Sequence, residues 1–171
     1  MPVIPSKLSS NCIKCLPLFL RGTVVKGFGR GSKQLGVPTA NFPAELVDRL
    51  PEDLVCGIYY GFAAVDEGPV HRMVMSIGWN PYYKNEKKSM EAHIMHHFDQ
   101  DFYGSVLRVV VLGYLRAERS FASVDALVSA IKKDIADADM ALGRTEFQRY
   151  RSHEFFSPEQ LDGGSTLVRS A

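Results

Sequence analysis

The sequence predicts a mainly β protein, a barrel or sandwich with one C-terminal α-helix. Short apolar, β-branched runs recur at close spacing between Leu18 and Leu115. Gly, Pro and Asn turn signals separate these runs, and no long helical stretch interrupts them before residue 123. Strands alternating with long helices would instead build a parallel sheet.

Taken in order, Leu18-Phe19-Leu20 through Thr23-Val24-Val25 reads as a strand running into a glycine-rich segment. Pro43 to Leu50 reads as a short helical turn closed by Pro51. Two further strands, Gly57 to Asp66 and Val70 to Gly78, flank the reversal signal Glu67-Gly68-Pro69. Met90 to Phe98 is another candidate strand, and Val106 to Leu115 is the most strongly β-branched run. Ser123 can cap the helix that follows, Asp125 suits its positive end, and Gly143 can terminate it. Val124, Leu127, Val128, Ile131, Ile135 and Ala138 form a stripe at helical spacing, expected simply to pack on the sheet. Past Arg144 the pattern fades. Glu154-Phe155-Phe156 is expected to tuck back onto the body, and Asp162-Gly163-Gly164-Ser165 to open a loose tail.

At 171 residues the chain fits one domain with a substantial core. A net charge of +1 provides no large field for nucleic acid or anionic membrane, and no apolar run reaches spanning length. Three cysteines point to a reducing compartment, with the cytoplasm expected first and the mitochondrion as the alternative. The Cys12-x-x-Cys15 pair lacks further ligands at zinc spacing and does not sit beside a strand–helix unit. The segment before Arg21 carries Lys7 and Lys14 but no acidic residue, and it reads as a disordered arm rather than a targeting leader.

Chemistry concentrates between Gly27 and Asn41, reading GFGRGSKQLGVPTAN. Gly27, Gly29, Gly31 and Gly36 let backbone N–H groups approach an anion, with Arg30 and Lys33 adding charge. The segment is not a P-loop, because Ser32 precedes Lys33 and Gln34 follows it, nor a dinucleotide fingerprint, because neither Gly27 nor Gly29 starts a Gly-x-Gly-x-x-Gly that completes. Thr39 and Asn41, two residues apart, share a face in extended chain and offer hard oxygens suited to Mg2+ beside phosphate. A plain glycine-rich turn between strands is the alternative. Glu91 is the acidic residue set in an apolar strand, Ser89-Met90-Glu91-Ala92-His93-Ile94-Met95, where it could act as a general base at a barrel rim or simply face solvent. His93 and His97 would share its face in a regular strand while His96 points away, so a metal cluster of the three histidines and exposed side chains are equally open. Trp79 to Lys84, with Lys87 and Lys88, mixes aromatics and cations but reads as a loop rather than a nucleic-acid platform.

Five segments in order, PTANF (38–42) with the preceding glycine loop, SIGWNPYYKN (76–85), SMEAHIMH (89–96), DFYG (101–104) and GYLR (113–116), resemble riboflavin kinase of the eukaryotic, single-function type. The likeness spans about residues 17 to 157, leaving a flexible arm at 1–16 and a tail at 158–171. It implies a closed, six-stranded antiparallel Greek-key β-barrel with one C-terminal α-helix packed on it. It also implies ATP-dependent phosphorylation of the ribityl 5′-hydroxyl of riboflavin, giving FMN and ADP. The resemblance assigns Thr39 and Asn41 to magnesium and phosphate, and Gly27 and Lys33 to a mobile loop over ATP. Ile94, His96 and Tyr103 fall to the nucleotide, Glu91 to the catalytic base, and Arg116, Arg119 and Phe121 to the flavin. Strict alternation puts Glu91 and His96 on opposite faces, so His96 must lie past the strand end or contact nucleotide through its backbone.

The expected metal is Mg2+, with Zn2+ or Mn2+ as alternatives, brought in by ATP because both protein ligands are neutral. A monomer without nucleic-acid or membrane partners is expected. With about twenty residues before the barrel, FMN synthesis without FAD synthesis is also expected. The rival readings are a non-catalytic flavin- or nucleic-acid-binding β-barrel and a kinase of the same architecture acting on another alcohol.

Overall fold

The computed structural model describes residues 15–26, 38–79 and 88–169. Its strands are β1 (Leu18–Thr23), β2 (Ala40–Asn41), β3 (Gly57–Val65), β4 (His71–Trp79), β5 (Lys88–Ile94), β6 (Val106–Arg116) and β7 (Thr166–Arg169). A short helix α1 (Ala44–Val47) follows β2, and the long α2 (Val124–Leu142) follows β6. A further turn of helix, α3 (Thr145–Gln148), and three 3-10 turns lead to β7. No described helix is long and apolar enough to cross a membrane.

All the strands lie in one antiparallel sheet, ordered β2-β5-β4-β3-β6-β1-β7. The β-branched run of β6 explains its central place between β3 and β1. The sheet curls as a half-barrel, and the chain just beyond β1 returns to β2 through an isolated bridge, with the Val25 N–H donating to the Asn41 carbonyl at 3.0 Å. This corrects the expected closed six-stranded barrel. There are seven described strands, and a single bridge stands where closure would need a ladder, because β2 is only two residues long. The seventh strand comes from the expected tail: residues 166–169 pair with β1 along its free edge.

Curvature has a local origin in the β3–β6 pairing, whose register shifts at Ile58/Tyr59 and again at Tyr60/Gly61. A Cβ on Gly61 would sit 1.8 Å from the Val110 carbonyl oxygen, so only glycine lets the strands approach there.

Alternation along each strand sorts the side chains onto two faces. The inner face closes on a core that includes Leu20, Met75, Ile77, Met90, Ala92 and Val109. The outer face buries Phe19, Phe62 and Val110 beneath Ala138 and Leu142 of α2 and Phe155 of the C-terminal segment. Phe155 is thus tucked back as expected. Helix α2 begins as read: the Ser123 hydroxyl accepts from the Ala126 N–H at 3.1 Å. It ends at Gly143 with φ −72, so the glycine stops the helix without using left-handed geometry. Arg72 of β4 holds the helix at Asp139, donating to a carboxylate oxygen and to the carbonyl, each at 2.7 Å.

Two arginines attach the C-terminal segment. Arg21 and Arg108 are paired across β1 and β6 and are only 7% and 2% exposed. Arg21 donates to the carbonyls of Gly164 (2.9 Å) and Gln160 (2.8 Å) and to the Thr166 hydroxyl (2.7 Å). Arg108 donates to the carbonyls of Ser157 (2.8 Å) and Asp66 (2.7 Å). Burial, and then Arg21, pulls the Arg108 guanidinium below its ordinary pKa.

Gly61→Ala is expected to lower stability by about 2–3 kcal/mol, since a backbone carbonyl must move to admit the methyl group. Urea denaturation measures this, and an unchanged midpoint would contradict the close approach.

Candidate active site

The site lies on the outer face of β2, β5 and β4, beneath the first half of α2. In β5, Met90, Ala92 and Ile94 are buried inward, leaving Glu91 and His93 half-buried on the opposite face. Thr39 and Asn41 are likewise half-buried on either side of the buried Ala40. The β2–β5 register sets Asn41 opposite Glu91, and the β4–β5 register sets Ser76 opposite Glu91 on the other side. Glu91 therefore stands between an amide and a hydroxyl on flanking strands, on the outer face of the sheet rather than at a barrel rim.

Two cavities meet here. The larger, of about 960 Å3, includes Pro38, Thr39, Ile94, His96, Phe98 and Tyr103 in its lining. The smaller, of about 350 Å3, includes Ser76, Glu91, Arg116, Arg119, Phe121 and Asp134. Thr39, His93 and Ile135 line both, so they mark the seam. Ile58, Val74, Leu127 and Ile131 give the smaller cavity apolar walls around a few convergent polar groups, as in small-molecule sites generally. The helix stripe accordingly has two jobs. Ala138 packs on the sheet as expected, while Leu127, Ile131 and Ile135 are walls of the cavity.

Arg116 is held firmly. Its Nε and Nη2 donate to the two carboxylate oxygens of Asp134, at 2.8 and 2.7 Å, in a bidentate pair. The Arg116 and Arg119 guanidinium carbons lie 5.8 and 5.1 Å from the centre of the Phe121 ring. Asp134 is 6% exposed, unlike the solvated helix carboxylate that its sequence context suggests. The missed signal is its spacing: three residues after Ile131 and four before Ala138, it falls on the apolar stripe. Ser76, which sequence reading also missed, carried no signal beyond its place in a strand.

His96 lies past the end of β5, which resolves its conflict with alternation. Its ring stacks on His71 at 4.1 Å, with Phe98 edge-on at 4.8 Å. Burial, then the neighbouring His96 and Arg151, holds His71 below the usual imidazole pKa. The three histidines of 93–97 do not converge. His93 bonds the Pro38 carbonyl, His96 stacks on His71, and His97 meets Asp99 at 3.4 Å in solvent. Among the described residues, no group of three or more His, Cys, Asp or Glu is placed to hold a metal. Thr39 at the seam, and Asn41, opposite Glu91 but in the lining of neither cavity, supply neutral oxygens, a donor set that fits an ion arriving with phosphate. Gly27 and Lys33 lie outside the described residues, as do Cys12 and most of the Trp79–Lys88 connection.

Two adjoining cavities, with a carboxylate in the smaller one two residues along β5 from the shared His93, could take one substrate each. The flavokinase (riboflavin kinase) family model matches residues 15–142. A riboflavin kinase of Homo sapiens is 60% identical over 141 residues, covering 82% of this chain and 91% of that protein. One of Mus musculus is 58% identical over 144 residues, covering 84% and 93%. The crystal structure of riboflavin kinase from Trypanosoma brucei superposes with a TM-score of 0.73 at 28% identity, covering 91% of this chain and 94% of that one. The chain belongs to the riboflavin kinase family.

A double-mutant cycle on Asp134→Ala and Arg116→Met is expected to give a coupling of about 1–3 kcal/mol by denaturation, because either single change strands a charge with little water. Coupling near zero would mean that the pair is not maintained in solution.

Proposed function

We propose that the chain transfers the γ-phosphate of ATP to the ribityl 5′-hydroxyl of riboflavin, giving FMN and ADP, with Glu91 as general base. The observation that carries this reading is the position of Glu91 in the smaller cavity, registered against Asn41, next to the seam with the larger one. ATP occupies the larger cavity, bordered by Ile94, His96 and Tyr103, with its phosphates toward Thr39. Riboflavin occupies the smaller one, its ring against Phe121 and the arginines, which leaves the ribityl chain directed at Glu91.

Phosphoryl transfer depends mainly on positioning and charge neutralisation. Here the chain's own contribution begins with Glu91, which accepts the 5′-hydroxyl proton as that oxygen bonds to the γ-phosphorus and the bond to the β–γ bridging oxygen breaks, releasing ADP. Burial of Asp134 against Arg116 keeps the flavin wall in one geometry. Thr39 and Asn41 would hold Mg2+, with Mn2+ or Zn2+ as alternatives, and the bound ion would offset phosphate charge. Lys33 and Gly27 belong to the ATP side of this reading. Residues 17–157 form the catalytic body, acting as a monomer in a reducing compartment, with no role for nucleic acid or membrane. Among the described residues, the exposed large apolar side chains are Trp79 on β4, Tyr103 ahead of β6, Val124 and Met140 at opposite ends of α2, and Val168 on β7.

Chromatography of riboflavin incubated with Mg·ATP is expected to show FMN, and its absence would remove the proposal. Glu91→Gln is expected to lower kcat by about 100-fold or more with both KM values little changed. An undiminished rate would remove the base assignment alone. Thr39→Ala is expected to raise the KM for Mg·ATP and the magnesium requirement while sparing the KM for riboflavin. An effect on riboflavin alone would contradict the assignment of Thr39.

A further inference from the structure

We infer that His93 is a positioning residue for the phosphate end of the site, acting through the backbone of Pro38. The β2–β5 ladder consists of Ala40 with Ala92 and Asn41 with Glu91. Continued in the same register, the next pair would place Thr39 opposite His93, but β2 begins only at Ala40. The segment ahead of it has Pro38, which has no N–H to give to a ladder. The imidazole takes over the missing cross-strand link. Nδ1 of His93 lies 2.8 Å from the Pro38 carbonyl oxygen.

A carbonyl oxygen only accepts, so Nδ1 carries the hydrogen and donates it. This settles the tautomer of the neutral ring and leaves the Nε2 lone pair free of that bond. The bond ties down the residue immediately before Thr39, and Thr39 and His93 both line both cavities. On the reading that Thr39 is a metal and phosphate ligand, His93 sets where that hydroxyl stands relative to Glu91, two residues away on the same strand. Sequence reading weighed this histidine as a metal ligand or an exposed side chain. In the structure it is half-buried, and its Nδ1 is committed to a backbone carbonyl.

Three variants separate the two ring nitrogens. The amide nitrogen of His93→Asn overlies Nδ1 of the native ring, whereas that of His93→Gln overlies Nε2. Binding of ADP is measured by calorimetry with Mg2+ and again with EDTA, alongside KM values for riboflavin and Mg·ATP. His93→Ala is expected to weaken Mg·ADP about 5- to 10-fold, the loss of one hydrogen bond. ADP in EDTA and the KM for riboflavin should stay within about twofold. His93→Asn should restore Mg·ADP affinity, and His93→Gln should not. Unchanged Mg·ADP affinity in His93→Ala would overturn the inference. So would rescue by Gln rather than Asn, which would make Nε2 the working atom and His93 a direct contact. A general loss of flavin and nucleotide binding together with a lowered Tm would overturn it too, leaving a structural role only. Failure of the wild type to bind Mg·ADP would instead remove the underlying assignment of the nucleotide site.

Discussion

The alignment of β2 with β5 is the constraint on which the proposed catalytic arrangement rests. Only two residue pairs make it, yet it decides that the proposed metal end and the proposed base share one face at adjacent positions. Because side chains alternate, a slip of one residue would send Glu91 into the core and bring Met90 to the cavity. Such a slip is resisted from the inner face, where Ala40, Ala92 and Met90 are all buried in one cluster. The proposed catalytic geometry on the outside is thus held by hydrophobic packing on the inside.

The long helix makes the complementary contribution. Where it bears Ala138, Ala141 and Leu142 it lies close on the sheet, because small side chains permit approach and leucine fills the remainder. Where it bears Leu127, Ile131 and Ile135 it leaves a space, with the buried Asp134–Arg116 pair at its edge. Apolar surface left facing a cavity is stabilisation forgone, and a ligand that fills the space recovers part of it. The same amphipathic stripe serves as adhesive at one end and as a binding wall at the other.

What sequence reveals depends on whether a feature is periodic or local. The β-branched run of β6 and the capped helix announced themselves, as did the half-barrel's turn at Glu67-Gly68-Pro69. Strand β2 did not, since two residues cannot display a period. Strand β7 did not either: Thr166-Leu167-Val168-Arg169 is too short to stand out, and its pairing depends on an unoccupied edge presented by β1. Glu91 and Thr39, both of which line a cavity, stood out as candidates because a carboxylate in an apolar strand and a hydroxyl after a glycine loop are unusual in type. Arg119 and Phe121 lie in a connection without periodicity, and only family resemblance pointed to them. Asp134 was hidden by its company, one acidic residue among several on a helix. Its burial follows from facing Arg116, a relation that sequence spacing does not carry.

The paired arginines under the C-terminal segment have a further consequence. Every acceptor described for Arg21 and Arg108 is neutral: backbone carbonyls, the Thr166 hydroxyl and the Gln160 side chain. Guanidinium stays protonated, and carbonyl oxygens do not titrate in the range where carboxylates do. An attachment made through carboxylates would slacken as acid protonates them, whereas this one keeps its bonding through the same acidification. The share of the fastening made by these two arginines is therefore indifferent to protons, unlike the Arg169–Asp53 pair and the Ser165–Glu45 contact of the same segment, and it keeps β7 seated over the edge that β1 would otherwise present.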